Sequence, residues 1–274
     1  MGKNFNGDAI YNPSGRAGEY SYWACNFFVG CSNLCTYCYC KKGILKHTMG
    51  GNTPTLKRCF KNEQHALEVF EKEMQQNLPE LQEHGLFFSF STDPMLPETT
   101  SLTGGAIRIC SWNNIPVKIL TKSGVSSALC FNAFCEVAGI EKNLIAFGHT
   151  LTGHDELEPG ASPNAERIEV MRKLHKAGFL TFASLEPIID FNSSAEMLRQ
   201  THGICDLYKI GLLSGVKQKD LKWDCENFAS YAINQAEEYD FKIYFKDSFL
   251  KAANINREDL PSCCVGRDYN LFNN

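Results

Sequence analysis

Three cysteines, Cys31, Cys35 and Cys38, stand at Cys-x3-Cys-x2-Cys spacing directly after an apolar run that ends at Gly30. Soft thiolates at this spacing suit iron–sulfur chemistry, because one short loop can wrap a corner of a cubane and ligate three of its irons. The fourth iron then lacks a protein ligand. An open coordination position is what a reactive metal site needs, whereas a structural site is closed by its own side chains. Two other readings compete. Cys35 and Cys38 alone are half of many zinc sites, and with Cys31 and Cys40 they would form a four-cysteine zinc knuckle. Zinc sites usually take their second pair from a separate hairpin, and the only late pair, Cys263 and Cys264, is adjacent and badly spaced for a shared chelate. Unligated or redox-active cysteines are the third reading.

The chain that must position this loop has 274 residues, 43% of them hydrophobic, which suffices for one large α/β domain with a sizeable core. Its organisation reads as a single domain over residues 1–274, with a core at about 20–246 and extensions at 1–19 and 247–274. No apolar signal region opens the sequence and no run of 18 apolar residues occurs, which predicts neither export nor a membrane span. Thirteen cysteines without a secretion signal point to a reducing compartment, so the expected location is cytoplasmic. A net charge of −4 argues against a generic nucleic-acid binder, so any such contact must be local. Lys41, Lys42, Lys46 and His47, then Lys57, Arg58 and Lys61, could supply it; a solvated lysine-rich loop is the plainer reading.

Residues 63–78, with Leu67, Val69, Phe70 and Met74 among charges, predict an amphipathic helix, and Leu86 to Ser91 a buried strand. The pair then repeats. Helical stretches near 103–113, 126–138, 163–177, 193–201 and 224–239 alternate with apolar strands at 116–121, 143–151, 179–186, 205–212 and 241–246. With a first strand from Tyr22 to Val29, about seven strands alternate with helices, the pattern of parallel βα units. In parallel barrels the reactive residues sit at the carboxyl ends of strands. Here those ends carry Ser91, Thr92 and Asp93, then Lys122 and Ser123, then His149, then Ser184 and Glu186, then Gly211. Asp-Pro and Glu-Pro also begin turns, so any one of these could be local punctuation. The whole set, at the end where the cysteine loop also lies, reads as a site.

Several segments together resemble the spore photoproduct lyase-like branch of the radical S-adenosylmethionine (SAM) superfamily. They are Asn12 to Tyr20, the cysteine loop entered through Asn26 to Gly30, Ser91 to Pro94, Ile119 to Ser123, Glu158 to Ala161 and Ser184 to Asp190. The likeness spans roughly residues 11–250. It implies an α/β fold, a partial parallel (β/α)6 barrel with an extra C-terminal strand and helix. It also implies a [4Fe-4S] cluster on Cys31, Cys35 and Cys38, whose open iron takes the amino and carboxylate groups of SAM, and Tyr37 against the nucleoside. Ser91, Thr92 and Asp93 would hold the SAM amino group, where a carboxylate can accept from an ammonium. Lys122 with Ser123 would face the SAM carboxylate, Glu186 and Ser184 the ribose, and the main chain at Gly211 the adenine, where a missing side chain permits close approach. His149 would contact SAM or substrate.

The implied chemistry is reductive cleavage of SAM to a 5′-deoxyadenosyl radical that abstracts hydrogen, with the electron coming from a donor such as flavodoxin or ferredoxin. Phe87, Phe88, Phe90 and the stretch Ile145 to Phe147 would wall the cavity. The branch favours a nucleobase or nucleic acid as substrate; a peptide or small metabolite is the alternative, and a non-catalytic zinc or iron–sulfur interaction module is the rival of a different class. Two departures weigh against thymine-dimer repair. The branch's extra cysteine some forty residues past the cluster has no counterpart near residue 81, since the next cysteine is Cys59, and no hairpin interleaves aromatic and basic residues.

Overall fold

A computed structural model of the chain describes residues 4–214 and 221–273. Its strands are β1 (Ile10–Tyr11), β2 (Ala24–Cys25), β3 (Phe28–Val29), β4 (Thr55–Leu56), β5 (Leu86–Phe88), β6 (Val117–Thr121), β7 (Ile145–Thr150), β8 (Leu180–Ile188), β9 (Leu207–Leu212) and β10 (Lys242–Phe245). Its helices are α1 (Gly15–Gly18), α2 (Glu63–Gln76), α3 (Leu78–His84), α4 (Thr100–Trp112), α5 (Val125–Ala138), α6 (Asn164–Lys176), α7 (Phe191–Thr201), α8 (Lys222–Tyr239) and α9 (Asp247–Ala253). Eight strands form one sheet in the order β1-β2-β5-β6-β7-β8-β9-β10. Every pairing from β2 onward is parallel, and only β1 runs antiparallel to its neighbour. The expected alternation of strand and helix is therefore present, with β10 and α9 as the extra C-terminal pair.

Alternation along the strands sorts the apolar residues between two faces. Phe87, Ala146, Phe182, Leu207 and Tyr244 share one inward cluster with Tyr20. Their neighbours Phe88, Ile119, Ile145 and Phe147 pack in one outer core, and Leu185, Ile210 and Ile243 in another. Of the expected cavity walls, Phe87, Phe90 and Ala146 thus belong to the inner cluster, whereas Phe88, Ile145 and Phe147 do not, because adjacent strand residues point to opposite faces. Gly148 is needed inside: a Cβ there would lie 2.2 Å from the Phe182 ring.

Two expected elements are divided. The first strand splits into β2 and β3, which belong to different sheets, β3 pairing antiparallel with β4 in a separate two-stranded sheet. Asn26 sits at the division, its Oδ1 accepting from the Phe90 N–H at 2.8 Å and its Nδ2 donating to Tyr11 at 2.7 Å. The helix expected over 63–78 ends at Gln76, and α3 starts anew with Pro79 in its first turn, a position that needs no N–H partner. The N-terminal segment is held by one carboxylate, since Glu73 of α2 accepts from the main-chain N–H groups of Asp8 (2.6 Å), Ala9 (3.0 Å) and Ile10 (2.7 Å). Among the described residues no helix is long and apolar enough to cross a membrane.

Candidate functional site

Gly30 opens the cysteine loop with φ +81°, and a Cβ there would come within 2.5 Å of the Thr53 carbonyl. This is a left-handed position that glycine takes without strain. The Cys31 N–H donates to Gly51 O at 3.0 Å, and Cys38 N–H to Cys35 O at 3.2 Å. The loop is clamped to the segment after β7 by two further main-chain bonds, Thr36 N–H to Leu157 O at 2.9 Å and Gly160 N–H to Asn33 O at 3.0 Å. Gly160 has no room for a side chain, the Ser32 carbonyl lying 2.0 Å from its would-be Cβ.

Asp93, after β5, is the buried hinge of this region. Its Oδ2 accepts from Asn33 Nδ2 and from the Lys122 N–H, each at 2.8 Å, and its Oδ1 from Thr121 Oγ1 at 2.6 Å and the Met95 N–H at 3.0 Å. Four protein donors match the roughly four acceptor positions of a carboxylate. Asp93 therefore ties the cysteine loop to the end of β6. Ser91 is likewise engaged, donating to Phe28 O at 2.5 Å, and Ser123 donates to Met95 O at 3.0 Å. Thr92 differs: its buried Oγ1 has no partner among the described residues.

Glu158 is fully buried and forms a 2.6 Å ion pair with the equally buried Arg167 of α6. Its other oxygen accepts from the Tyr37 hydroxyl and lies 3.9 Å from Lys122 Nζ. Burial first and the Glu158 charge second push the Tyr37 phenol up, so it stays a donor. Lys122 Nζ lies 5.7 Å from the centre of the Tyr37 ring. The same ammonium favours the thiolate form of Cys31, Cys35 and Cys38, so its charge reaches all three. Burial raises Cys31 to about 11 and also raises Cys35. Cys38 is lowered to about 6, chiefly by a hydrogen bond from the Cys40 thiol.

His149, at the end of β7, is fully buried, and neither ring nitrogen has a hydrogen-bond partner among the described residues. Burial, then the Arg167 charge, outweigh the Ser123 main chain and lower its pKa to about 3, so the ring is neutral. The remaining candidates gather elsewhere on the strand ends. Tyr20 shares a 2.6 Å hydrogen bond with Ser184 Oγ and donates to Glu186 Oε2 at 2.8 Å. Lys246 Nζ pairs with the same Oε2 at 2.5 Å and lies 4.1 Å from the Tyr20 ring centre. A Cβ on Gly211 would meet Lys246 Cδ at 2.8 Å and Glu186 Cδ at 2.9 Å. A pocket at the opposite, amino ends of the strands is lined by Lys118, Lys209 and the 265–271 segment, and none of the three loop cysteines lines it.

The predicted residues thus form two groups, one from the cysteine loop to Lys122 joined through Asp93 and Glu158, and the other of Ser184, Glu186 and Gly211 near Tyr20. Sequence reasoning missed Asn33, Thr121, Arg167, Tyr20 and Lys246 as members. Of these, Tyr20, Asn33 and Thr121 carried a signal, lying inside segments with family likeness, as did Glu158, which was missed as well. Among the described residues no three His, Cys, Asp or Glu side chains converge as a ready single-ion site. The donor set is nonetheless soft, and two orphaned polar side chains, Thr92 and His149, stand at the ends of β5 and β7, as expected where a ligand completes the hydrogen bonding.

Comparison with solved structures decides the fold. The chain aligns with a double mutant of spore photoproduct lyase holding AdoMet and a dinucleoside spore photoproduct, with TM-score 0.60 and 14% identity over 82% of this chain and 76% of that one. The chain has the radical SAM fold. Streptococcus suis SuiB bound to S-adenosylmethionine aligns with TM-score 0.55 and 12% identity over 82% of this chain, which spans 50% of SuiB. SuiB bound to its precursor peptide SuiA gives 0.54 and 10% over 84% of this chain and 50% of SuiB. No family profile and no curated protein matches the sequence. The eight-stranded, mostly parallel sheet with its cysteine loop beside the strand ends is thus the radical SAM partial barrel.

Proposed function

We propose that this chain is a radical SAM enzyme in which Cys31, Cys35 and Cys38 would hold a [4Fe-4S] cluster and the strand ends beside them would bind S-adenosylmethionine. The observation that carries the reading is the three-thiol loop tied by Asn33 to Asp93 and by Tyr37 to Glu158 on a radical SAM fold. When bound, cluster and SAM together supply a 5′-deoxyadenosyl radical that abstracts hydrogen from substrate. The protein's part is to bind, orient and exclude water.

Lys122 would orient the SAM carboxylate, because Arg167 already neutralises Glu158 and leaves the Lys122 charge weakly matched. Thr92, with a free acceptor, would take the SAM ammonium, while Asp93 holds the loop that carries it. The Tyr37 ring would lie against the nucleoside. Glu186 and Ser184 would serve the ribose, with Gly211 leaving space for adenine. His149, neutral and unpartnered, can donate through one ring nitrogen and accept through the other. Phe87, Phe90 and Phe182 would keep water from the reacting atoms.

The proposed substrate is a nucleobase or nucleic acid, supported by the dinucleoside in the first structural relative. A peptide is the second reading, favoured by the SuiB structure that holds one. Anaerobic purification tests the cofactor. The reading requires brown protein whose charge-transfer absorption disappears in Cys35→Ala; a colourless protein carrying one zinc would refute it in favour of an interaction module. Transfer of deuterium from labelled nucleic acid into 5′-deoxyadenosine would identify the substrate class, and transfer only from labelled peptide would replace it.

A further inference from the structure

Residues 20–62 contain six lysines and arginines and no aspartate or glutamate, although the whole chain has 27 basic and 31 acidic residues. The rest of the molecule therefore carries 21 basic against 31 acidic residues, and the positive charge is concentrated in the segment that holds the cysteine loop. Lys41, Lys46 and His47 lie on two short turns, Tyr39–Lys41 and Gly43–His47, that follow Cys38 directly, and Lys42 joins the two. The turns are built onto that loop: the Lys41 N–H donates to Cys38 O at 3.1 Å, and a Cβ on Gly50 would lie 2.6 Å from Lys46 O and 3.0 Å from Cys40 O. Three peptide links separate Cys38 from Lys41, so their Cα atoms are at most about 11 Å apart.

Two features say what this surface meets. Among the described residues Lys41, Lys42 and Lys46 form no ion pair, so their charges are available to a partner. In their midst Ile44 is 83% exposed. Unpaired cations around one apolar side chain are the elements of a protein interface, in which a partner's carboxylates meet the lysines and its apolar surface covers the isoleucine. A phosphate backbone offers nothing to Ile44. Lysines, which lack the planar fork that reads base edges, also predominate over arginine here, five to one across residues 20–62.

We propose that the Lys41–His47 surface is the docking site for a small acidic carrier protein that delivers one electron at a time to the centre held by Cys31, Cys35 and Cys38. This rests on the iron–sulfur reading given above. The step is electron transfer alone: the carrier is oxidised by one electron, the centre is reduced by one, and no bond is made or broken. Opposite charges orient the carrier over the loop, and Ile44 anchors it once it is seated.

The test uses anaerobically reconstituted full-length protein and two reductants, dithionite and a reduced, net-negative flavodoxin. In the variant Lys41→Glu, Lys42→Glu, Lys46→Glu, the proposal expects unchanged iron content and unchanged reduction by dithionite. Reduction by flavodoxin should fall at least about tenfold at low salt, and its slowing by added salt should vanish or invert, because screening now relieves a repulsion. Ile44→Ser, which leaves the charges in place, should raise the half-saturating flavodoxin concentration while keeping the salt dependence. Flavodoxin-driven reduction equal to wild type in both variants would overturn the proposal. So would loss of binding to a single-stranded oligonucleotide in the triple variant with flavodoxin kinetics unchanged, which would assign the surface to nucleic acid. If wild-type protein holds no reducible centre even with dithionite, the iron–sulfur reading itself has failed, a result distinct from a docking defect, and the proposal falls with it.

Discussion

Arg167 Nη2 lies 2.6 Å from Glu158 Oε2 with both side chains fully buried, and Lys122 Nζ stands at 3.9 Å from the other oxygen of the same carboxylate. Arg167 thereby satisfies Glu158 from behind. Lys122 is left with a distant, shared partner and a charge that faces the cysteine loop.

Arg167→Met should destabilise the protein by about 3–5 kcal/mol, because it strands a buried carboxylate without its counter-ion. Urea midpoints measure this. Glu158→Gln added to Arg167→Met should recover much of the loss by removing the stranded charge, and a double variant no more stable than the single one would contradict the account of the pair.

Lys122→Ala should weaken SAM binding roughly 10- to 100-fold, the worth of a charge-assisted hydrogen bond of about 1.5–3 kcal/mol. Its iron content should match wild type. Equilibrium titration of anaerobic protein with SAM checks both, and unchanged affinity would make Lys122 a partner of Glu158 and Tyr37 only.

The alternation of strands and helices, the strand ends and the cysteine loop were legible in the sequence because each is local. The continuous apolar run Leu86 to Phe88 and the alternating Val117 to Thr121 mark strands over a few residues, and Cys31 to Cys38 is a spacing within one loop. What was not legible is made by contacts between distant segments. Glu73 holds Asp8 to Ile10 from 63 or more residues away, and Tyr20 meets Ser184 and Glu186 from 164 and 166 residues away. Nor does sequence reveal when a polar residue is already satisfied. Asp93 reads as a free acceptor at a strand end, yet four neighbours donate to it. The break between β2 and β3 escaped for a related reason, since Asn26 turns the chain through bonds to Phe90 and Tyr11 within a run that reads as continuous strand.

His149 gives the protein a defined acid sensitivity. Its folded pKa of about 3 lies below the ordinary histidine value of 6.5, so between these limits the unfolded chain binds a proton that the folded one does not. Stability from this site is complete above pH 6.5 and declines as pH falls toward 3. His149→Leu removes the proton-binding group. The stability of wild type relative to this variant should drop by about 2 kcal/mol between pH 7 and pH 5. Urea unfolding of metal-free protein at the two pH values measures it, and a constant difference would mean that the ring is not buried neutral.

Gly148→Ala should destabilise the barrel interior by about 1–3 kcal/mol, since the added methyl would sit 2.2 Å from the Phe182 ring. Phe182→Leu in the same chain should restore part of the loss by vacating that space. Additive destabilisation in the thermal melts of the two single variants and the double variant would show that the two residues do not share it.

The central claim is that the loop of Cys31, Cys35 and Cys38 supports SAM cleavage at the strand ends. Chromatography of anaerobic dithionite reactions tests it most directly. Reconstituted wild type is predicted to form 5′-deoxyadenosine slowly without substrate, Cys35→Ala to form none and to have lost iron, and Cys263→Ala to match wild type in both. Wild-type protein that holds its iron and binds SAM but yields no 5′-deoxyadenosine would contradict the account.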